Sequence, residues 1–392
     1  MDYLKFKADK IFDGYRFLED DNVLITDKKG TIQAIVENEE AGDDIQQFSG
    51  ILSPGFINCH CHLELSHMKG LITEGTGLKK FVVDVVQQRA FPEEEIKHAI
   101  EKAEDEMLTN GIVAVGDICN NTLTINQKTK ARIYYHNFIE VSGFNPKIIL
   151  QRFEDSKKIF EKFREAFYTN NLNSESGAGS LVPHAPYSVA NELWDLIINY
   201  PGNLLLTIHN QETAGENEWF MKKQGDLADM YAAMKIDTAF FQPSGKSSLQ
   251  TYLPKFLKNQ SVLLVHNVHT SEDDVLFAKE SGQQLYWCLC PNANQYISRQ
   301  LPDIDLLMKH ECEIVLGTDS LASNHQLSIL EEMKTIQRHF TDIEMETMLK
   351  WATSNGAKAL QMDGLLGSFE KGKKPGIVML TLNFSKATRI LQ

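Results

Sequence analysis

Eight short apolar runs, separated by segments of helical character, leave few folds open to this chain. The runs lie at residues 51–62, 112–117, 133–141, 180–184, 203–209, 262–266, 283–290 and 313–319. Continuous apolar runs that alternate with helices are typical of a parallel sheet buried on both faces. Eight such units predict an α/β protein with a (β/α)8 TIM-like barrel. An open doubly wound sheet is the alternative, although no Gly-x-Gly-x-x-Gly turn follows the first strand to support dinucleotide binding.

The two ends of the chain have a different pattern. Residues 3–48 contain short strand-like segments and turn signals such as Asp-Lys-Lys-Gly at 27–30, and residues 376–380 again have strand character. We therefore expect residues 1–50 and 366–392 to form a small β-sandwich module. Residues 51–365 are expected to form the barrel.

The composition of the chain limits the kinds of molecule that it is expected to bind. Of the 392 residues, 39 are Lys or Arg and 53 are Asp or Glu, which gives a net charge of −14 and argues against nucleic-acid binding. No apolar run approaches the roughly 20 residues of a membrane span, and the N-terminal residues lack the apolar region of a signal peptide. The six cysteines show no paired framework. A cytoplasmic protein with a small-molecule substrate is the expectation.

Polar side chains follow or end several of the predicted strands. His60 and His62 end the first strand and point to the same side, because side chains alternate along a strand. The others are His184 after the fourth strand, His209 after the fifth, His266 after the sixth and Asp319 after the eighth. One such histidine is more often a hydrogen-bonded core residue than a metal ligand. Because catalytic groups of a parallel barrel lie at the carboxyl ends of its strands, the whole set predicts a metal site.

Several segments, in this order, resemble the amidohydrolase superfamily. They are residues 54–62, 183–188, 209–213, 264–266, 290–294, 316–320, 322–324, 331–333 and 367–368. Within the superfamily they resemble the branch of chlorohydrolases and methylthioadenosine/S-adenosylhomocysteine deaminases, and also the aminodeoxyfutalosine deaminases. The chain departs from these relatives at Lys374-Pro375-Gly376-Ile377, where an acidic–apolar pair is usual.

The resemblance implies one divalent metal ion, with zinc favoured over iron or manganese. Its ligands would be His60, His62, His209 and Asp319. Other branches bridge two metal ions with a carboxylated lysine at the end of the fourth strand, where this chain has Val182-Pro183-His184. A mononuclear site is therefore expected. The resemblance also implies a homodimer, which no residue pattern of the chain fixes.

The resemblance also assigns roles to the remaining polar residues. Glu212 would protonate a ring nitrogen of the substrate, His266 would stabilise the developing tetrahedral oxygen, and Asp319 would accept a proton from the attacking water. A solvated carboxylate at a helix start is the alternative for Glu212. His184 is expected to contact the substrate. Glu64, Arg299 and an inserted loop at 236–260 are further candidates for substrate contacts.

The implied activity is hydrolytic deamination of an amino-substituted purine. A 6-aminopurine nucleoside of the methylthioadenosine, S-adenosylhomocysteine or aminodeoxyfutalosine type is favoured. The same mononuclear site could instead serve a guanine, pyrimidine or triazine deaminase or a chlorohydrolase. A non-catalytic metal-binding barrel is disfavoured, because Glu212 and Asp319 are both present.

Overall fold

The computed structural model describes residues 3–19, 21–170, 172 and 179–391. The strands are β1 (Tyr3–Lys7), β2 (Lys10–Ile11), β3 (Asn22–Asp27), β4 (Ile32–Glu37), β5 (Ile45–Gln47), β6 (Ile51–Pro54), β7 (Phe56–Cys61), β8 (Ile112–Cys119), β9 (Tyr134–Val141), β10 (Gly179–Pro183), β11 (Leu205–Asn210), β12 (Ser261–His266), β13 (Gln284–Leu289), β14 (Ile314–Leu316), β15 (Ile377–Leu380) and β16 (Ala387–Leu391).

Helices follow most of the strands from β7 to β14. The α-helices are Asn38–Ala41, Leu78–Gln88, Glu93–Thr109, Ile125–Lys128, Ile149–Thr169, Asn191–Ile198, Ala214–Lys222, Asp226–Ala233, Ser248–Tyr252, Glu272–Glu280, Pro291–Ser298, Ile304–Lys309, Ile329–His339, Met345–Lys350 and Gly356–Ala359. Short 3₁₀ turns occur at Leu63–Met68, Pro146–Ile148, Pro186–Ser188 and Leu253–Lys255, and Trp351–Asn355 is a π-helical turn. Within the described part of the chain, no helix combines the length and the apolar character that a membrane crossing requires.

The strands β7 to β14 form two parallel sheets of four strands each. Their orders are β10-β9-β8-β7 and β11-β12-β13-β14. The sheets approach each other at two seams. At one seam the amides of Thr318 and Asp319 both donate to the carbonyl of His60 at 3.0 Å, and at the other the amide of His209 donates to the carbonyl of His184 at 3.1 Å. The fold is thus mixed α/β with parallel sheets, consistent with a TIM-like barrel.

Two further four-stranded sheets lie outside this parallel set. One has the order β4-β3-β1-β5 and comes wholly from the first part of the chain. The other has the order β16-β15-β6-β2 and pairs strands from both ends of the chain, with β15 antiparallel to β6.

The predicted first apolar run is in fact two strands. Residues 51–54 belong to the mixed terminal sheet, whereas residues 56–61 begin the parallel set. Gly55 separates them at a point of close packing, because a Cβ atom there would lie 2.3 Å from Val113 Cγ1 and 2.8 Å from the Pro375 carbonyl oxygen. The sequence did not show this break, because both strands are buried and together form one continuous apolar run.

The segment 236–260 is only partly the irregular loop that the sequence predicted. The helix Ser248–Tyr252 is capped at its N-terminus by Ser247, whose hydroxyl accepts a hydrogen bond from the amide of Gln250. Leu249, Tyr252 and Leu253 are buried, and the Tyr252 hydroxyl donates to Asn210 Oδ1 at 2.7 Å. A helix of five residues is too short to show a period in the sequence, which explains why that prediction was wrong for this half of the segment.

Candidate active site

The polar residues at the strand ends lie close together in the folded chain. His60 lies near the end of β7, His62 directly after it, and His209 near the end of β11. The Nε2 atoms of His62 and His209 are 3.3 Å apart. Asp319 Oδ1 lies 3.6 Å from His60 Nε2 and 3.4 Å from His62 Nε2. All four side chains are buried.

These separations match the needs of a small cation. With metal–nitrogen bonds of about 2.0–2.1 Å, two ligands of a tetrahedral zinc ion lie about 3.3–3.4 Å apart. Both ring nitrogens of His60 are buried and have no hydrogen-bond partner among the described residues. A buried polar atom without a partner is destabilising unless something binds it. The donor set of three imidazoles and one carboxylate therefore fits a single divalent ion of the zinc, iron or manganese type.

Burial favours, for His62 and His209, the neutral form that a metal ligand requires. Burial lowers the pKa of His209 to about 4, and it holds the pKa of His62 well below the ordinary value. His209 Nδ1 donates to the His184 carbonyl oxygen at 2.7 Å, which leaves Nε2 without the proton. A histidine that ligates a metal commonly donates its other ring N–H in this way.

Asp319 is held by its own turn. Asp319 lies three residues after the end of β14, and its backbone has φ 55°, a left-handed conformation that is uncommon outside glycine. The Ser323 hydroxyl donates to Asp319 Oδ2 at 2.6 Å, which leaves Oδ1 facing the histidines. Burial raises the pKa of Asp319, but the nearby imidazoles of His60, His62 and His266 outweigh it, so the net pKa lies well below the usual range. The carboxylate is therefore ionised and able to bind a cation.

Glu212 and His266 face each other beside this group. His266 Nε2 lies 3.7 Å from Glu212 Oε1, and both side chains are buried. Burial, with the charges of Asp319 and Glu216, holds the pKa of Glu212 well above the usual range. The Asn294 amide donates to His266 Nδ1 at 3.0 Å, so the remaining proton lies on Nε2. The pair thus offers a carboxyl group whose raised pKa favours the protonated form, and an imidazole whose lowered pKa favours a neutral N–H donor.

His184 lies next to the histidine cluster, with its ring centroid 4.9 Å from that of His209. Its Nδ1 atom is 2.8 Å from the Ser188 hydroxyl. Glu140, which the sequence reasoning did not single out, completes a second group with His184 and His209, whose ligand atoms lie within 4.8 Å of one another. Glu140 Oε1 is buried 3.5 Å from His209 Nδ1 and has no hydrogen-bond partner among the described residues. The signal was present, since Glu140 is the penultimate residue of the apolar strand β9.

Of the other two candidates for substrate contacts, Glu64 is buried and Arg299 is exposed. Glu64 Oε2 accepts hydrogen bonds from the amides of Asn120 and Asn121 at 2.9 and 3.2 Å, which ties the turn after β7 to the end of β8. Burial raises its pKa to about 7. Arg299 ends the helix Pro291–Ser298 in a left-handed conformation beside Gly75.

Three motifs that the sequence linked only by resemblance meet in one hydrogen-bond network. The buried carboxylate of Glu332 accepts from the amide and the side chain of Asn292 at 2.8 and 3.0 Å. It also accepts from the Asn324 side chain at 2.9 Å, and that side chain donates to the Thr318 carbonyl oxygen at 2.8 Å. The network fixes the turn that carries Asp319.

Removal of the Ser323 hydroxyl tests how this turn holds its carboxylate. In Ser323→Ala, Asp319 loses the 2.6 Å hydrogen bond that orients it, so we expect metal affinity to fall on the order of 10–100-fold. Competition with a chelator of known affinity measures the change. Ser328→Ala is the matched control, because this hydroxyl accepts from the Glu331 amide at the start of the helix Ile329–His339, away from Asp319. The control is expected to lower the free energy of unfolding by about 1 kcal/mol without changing metal affinity. Equal affinities in wild type and Ser323→Ala would contradict the assigned role.

Comparison with known proteins confirms the resemblance predicted from the motifs. The Amidohydrolase family matches residues 51–391. An adenosine deaminase of Helicobacter pylori is 27% identical over 352 residues, which cover 88% of this chain and 82% of that protein. A 5-methylthioadenosine/S-adenosylhomocysteine deaminase of Halalkalibacterium halodurans is 25% identical over 379 residues, with 90% of this chain and 78% of that protein covered.

A solved structure shares the fold. The crystal structure of Helicobacter pylori aminofutalosine deaminase in complex with methylthio-coformycin has a TM-score of 0.81 and 23% identity, covering 96% of this chain and 92% of that chain. The family match extends over far more than half of the 392 residues and contains every proposed metal ligand. This chain belongs to the amidohydrolase family.

Proposed function

We propose that this protein is a metal-dependent aminohydrolase that removes the 6-amino group of an adenine nucleoside as ammonia. One observation carries the proposal: a donor set suited to a single divalent ion lies beside a buried carboxyl group whose pKa is raised. A hydrolytic deaminase needs these two parts, one to activate water and one to protonate the ring. The named relatives that deaminate adenine nucleosides support the same reading.

We infer that the strands β7 to β14 close into one (β/α)8 barrel and that the outer sheets form a β-sandwich module. The backbone hydrogen bonds from Thr318 and Asp319 to His60, and from His209 to His184, support closure at both seams. The antiparallel pairing of β15 with β6 supports a module that both chain ends share. We assign residues 51–365 to the barrel, and residues 1–50 and 366–392 to the module.

The metal ion would be held by His60, His62, His209 and Asp319, and zinc is our proposal. When bound, such an ion lowers the pKa of a water molecule to about 7, so that hydroxide is available at neutral pH. Three neutral imidazoles with one carboxylate favour zinc, and iron or manganese would also accept this set. Metal analysis of the purified protein is expected to give one ion per chain, and a value of two would contradict the mononuclear site.

The chain's own residues would divide the proton transfers. Asp319 accepts a proton from water as the oxygen adds to C6 of the purine, while Glu212 donates its proton to N1. His266 donates a hydrogen bond from Nε2 to the new oxygen on C6. Asp319 then returns its proton to the amino group, the C6–N bond breaks, and ammonia leaves. Glu212 recovers a proton from the C6 hydroxyl, which leaves a carbonyl group and restores the enzyme.

Substrate selection would fall to the groups beside His209. We propose that His184, whose ring lies beside that of His209, contacts the nucleoside. Glu140 offers an acceptor oxygen that has no partner among the described residues. An aromatic cluster lies beside the segment that follows His184. It contains Tyr187, Phe144, Trp219 and Tyr231, the last of which donates to the Tyr187 carbonyl oxygen. Polar groups beside His209, with an apolar cluster behind them, suit the hydrogen-bonding groups and the ring of a nucleoside.

The substrate is tested by following the ultraviolet shift from adenine to hypoxanthine. Zinc-loaded enzyme is incubated with S-adenosylhomocysteine, methylthioadenosine, adenosine and aminodeoxyfutalosine, with ammonia measured in parallel. We expect a shift, with equimolar ammonia, from at least one of them. If guanine or a triazine releases ammonia and none of these nucleosides gives the ultraviolet shift, the enzyme is a guanine or triazine deaminase instead.

We also propose that the protein works in the cytoplasm, since the six cysteines are free and five of them are buried. A homodimer remains a prediction. Light scattering of the eluting protein at micromolar concentration would give a mass near twice 44.4 kDa if it is correct.

A further inference from the structure

A recess of about 170 Å³ opens at the opposite end of the parallel strands from the histidine cluster. Its wall includes Val113 near the start of β8, Tyr134 at the start of β9, Gly376, Lys374 and Arg389 of β16. We call this the basal recess. It lies where the mixed terminal sheet meets the parallel strands, far along each strand from the proposed active site. One water molecule needs a cavity of only about 10–15 Å³, so the recess has room for a larger ion or small molecule.

The basal recess is positively charged. Lys374 and Arg389 line it, and no carboxylate does. The Nε and Nη1 atoms of Arg389 are buried and lack a hydrogen-bond partner within the described residues. Residues 374–377 supply no acidic side chain to the recess.

Cationic side chains close to the basal recess, in contrast, are paired with carboxylates. Arg132 lies 2.6 Å from Asp105 and 3.4 Å from Glu104, and the ammonium group of Lys373 lies 2.5 Å from Glu370. For Arg389 and Lys374 the described part of the chain supplies no such ion pair. A partly buried guanidinium without a counter-charge destabilises the fold, and burial also lowers the pKa of Arg389.

We propose that the basal recess binds a tetrahedral oxyanion, either free phosphate or the phosphate group of a small metabolite. A guanidinium presents a planar fork of N–H donors that matches phosphate oxygens, and an ammonium group adds a second charge. The site is independent of deamination, since its residues touch none of the proposed metal ligands. An ion there would bridge Arg389 of β16 and Lys374, which lies just before β15.

Calorimetric titration of the metal-loaded protein with sodium phosphate, at ionic strength held constant with chloride, tests the proposal. We expect saturable binding to wild type and binding weaker by on the order of tenfold or more in Arg389→Gln and in Lys374→Gln. Lys371→Gln is the matched control, because it removes one positive charge from the exposed turn just before Lys374 and lies outside the recess. This variant should bind phosphate as wild type does. Titration with glycerol 3-phosphate separates the two sources of the anion: tighter binding than inorganic phosphate indicates a metabolite, and weaker binding indicates the free ion.

Thermal unfolding supplies a second readout. Phosphate stabilises many proteins without binding a site, and that general effect should be equal in all variants. Specific binding should add a rise in Tm for wild type and Lys371→Gln that Arg389→Gln lacks. In chloride alone, Arg389→Gln should be at least as stable as wild type, because it removes an uncompensated charge. Phosphate binding that survives both Arg389→Gln and Lys374→Gln would place the ion outside the basal recess and would overturn the proposal. An absence of saturable binding would overturn it as well. If Arg389→Gln does not fold, Lys374→Gln decides.

Discussion

Glu212→Gln is expected to lower kcat by about 10²–10⁴-fold while leaving metal content and fold unchanged. The glutamine keeps the size of the side chain but cannot deliver a proton to the purine ring. Glu212 faces His266 across 3.7 Å and is not among the four proposed ligands, so the metal site should remain intact. Steady-state kinetics with the best nucleoside, together with metal analysis of the same preparation, measures both effects.

The matched control for this variant is Glu218→Gln. Glu218 lies on the helix Ala214–Lys222 that follows Glu212, but its side chain is exposed. The same chemical change there should leave kcat unaltered. A Glu212→Gln enzyme that turns over near the wild-type rate would show that another group protonates the substrate.

His209→Ala is expected to remove the metal and, with it, turnover. The imidazole contributes one of four proposed ligand atoms, and its Nε2 lies 3.3 Å from that of His62. Truncation leaves two imidazoles and one carboxylate, and a rate loss on the order of 10⁴-fold or more follows if the ion no longer activates water. Metal analysis after dialysis should give well under one ion per chain. His98→Ala, at an exposed helical position, is the control and should keep both metal and activity.

The two variants separate the roles of neighbouring residues. Glu212→Gln should lose activity and keep metal, whereas His209→Ala should lose both. Chelation of wild-type enzyme should reproduce the His209→Ala result and be reversed by added zinc. Full activity in chelated, metal-free protein would contradict the assignment of His209 and of the other ligands.

The positions of the site residues could be predicted because each interrupts a simple pattern. His60, His209 and His266 stand at the ends of apolar runs, and parallel strands bring such ends to one face. The neutral forms of His209 and His266 could not be predicted, because they depend on partners far along the chain. The acceptor for His209 Nδ1 is the His184 carbonyl oxygen, and the donor to His266 is Asn294.

Other features depend on contacts that no local pattern contains. Glu332 lies in an amphipathic helix, where a carboxylate usually faces water, yet it is fully buried by Asn292 and Asn324. The break at Gly55 is set by Val113 and Pro375, which approach from distant parts of the chain. The period of the apolar residues predicts where strands and helices lie in the sequence. It does not show which buried polar group has a hydrogen-bond partner in a distant part of the chain.

The hydrogen bonds that join β7 to β14 also bear on how the chain folds as it is made. The side-chain amide of Asn58 donates to the Thr318 hydroxyl across this seam, and the two residues are 260 positions apart. Among the described residues, β6 pairs only with strands at residues 10–11 and 377–380. Contacts of such long sequence separation form late, because a long loop must close first. At about 5–20 residues per second, β6 and β7 would wait many seconds on the ribosome with unpaired edges. Chaperone demand during synthesis should therefore be concentrated on the apolar segment that contains β6 and β7.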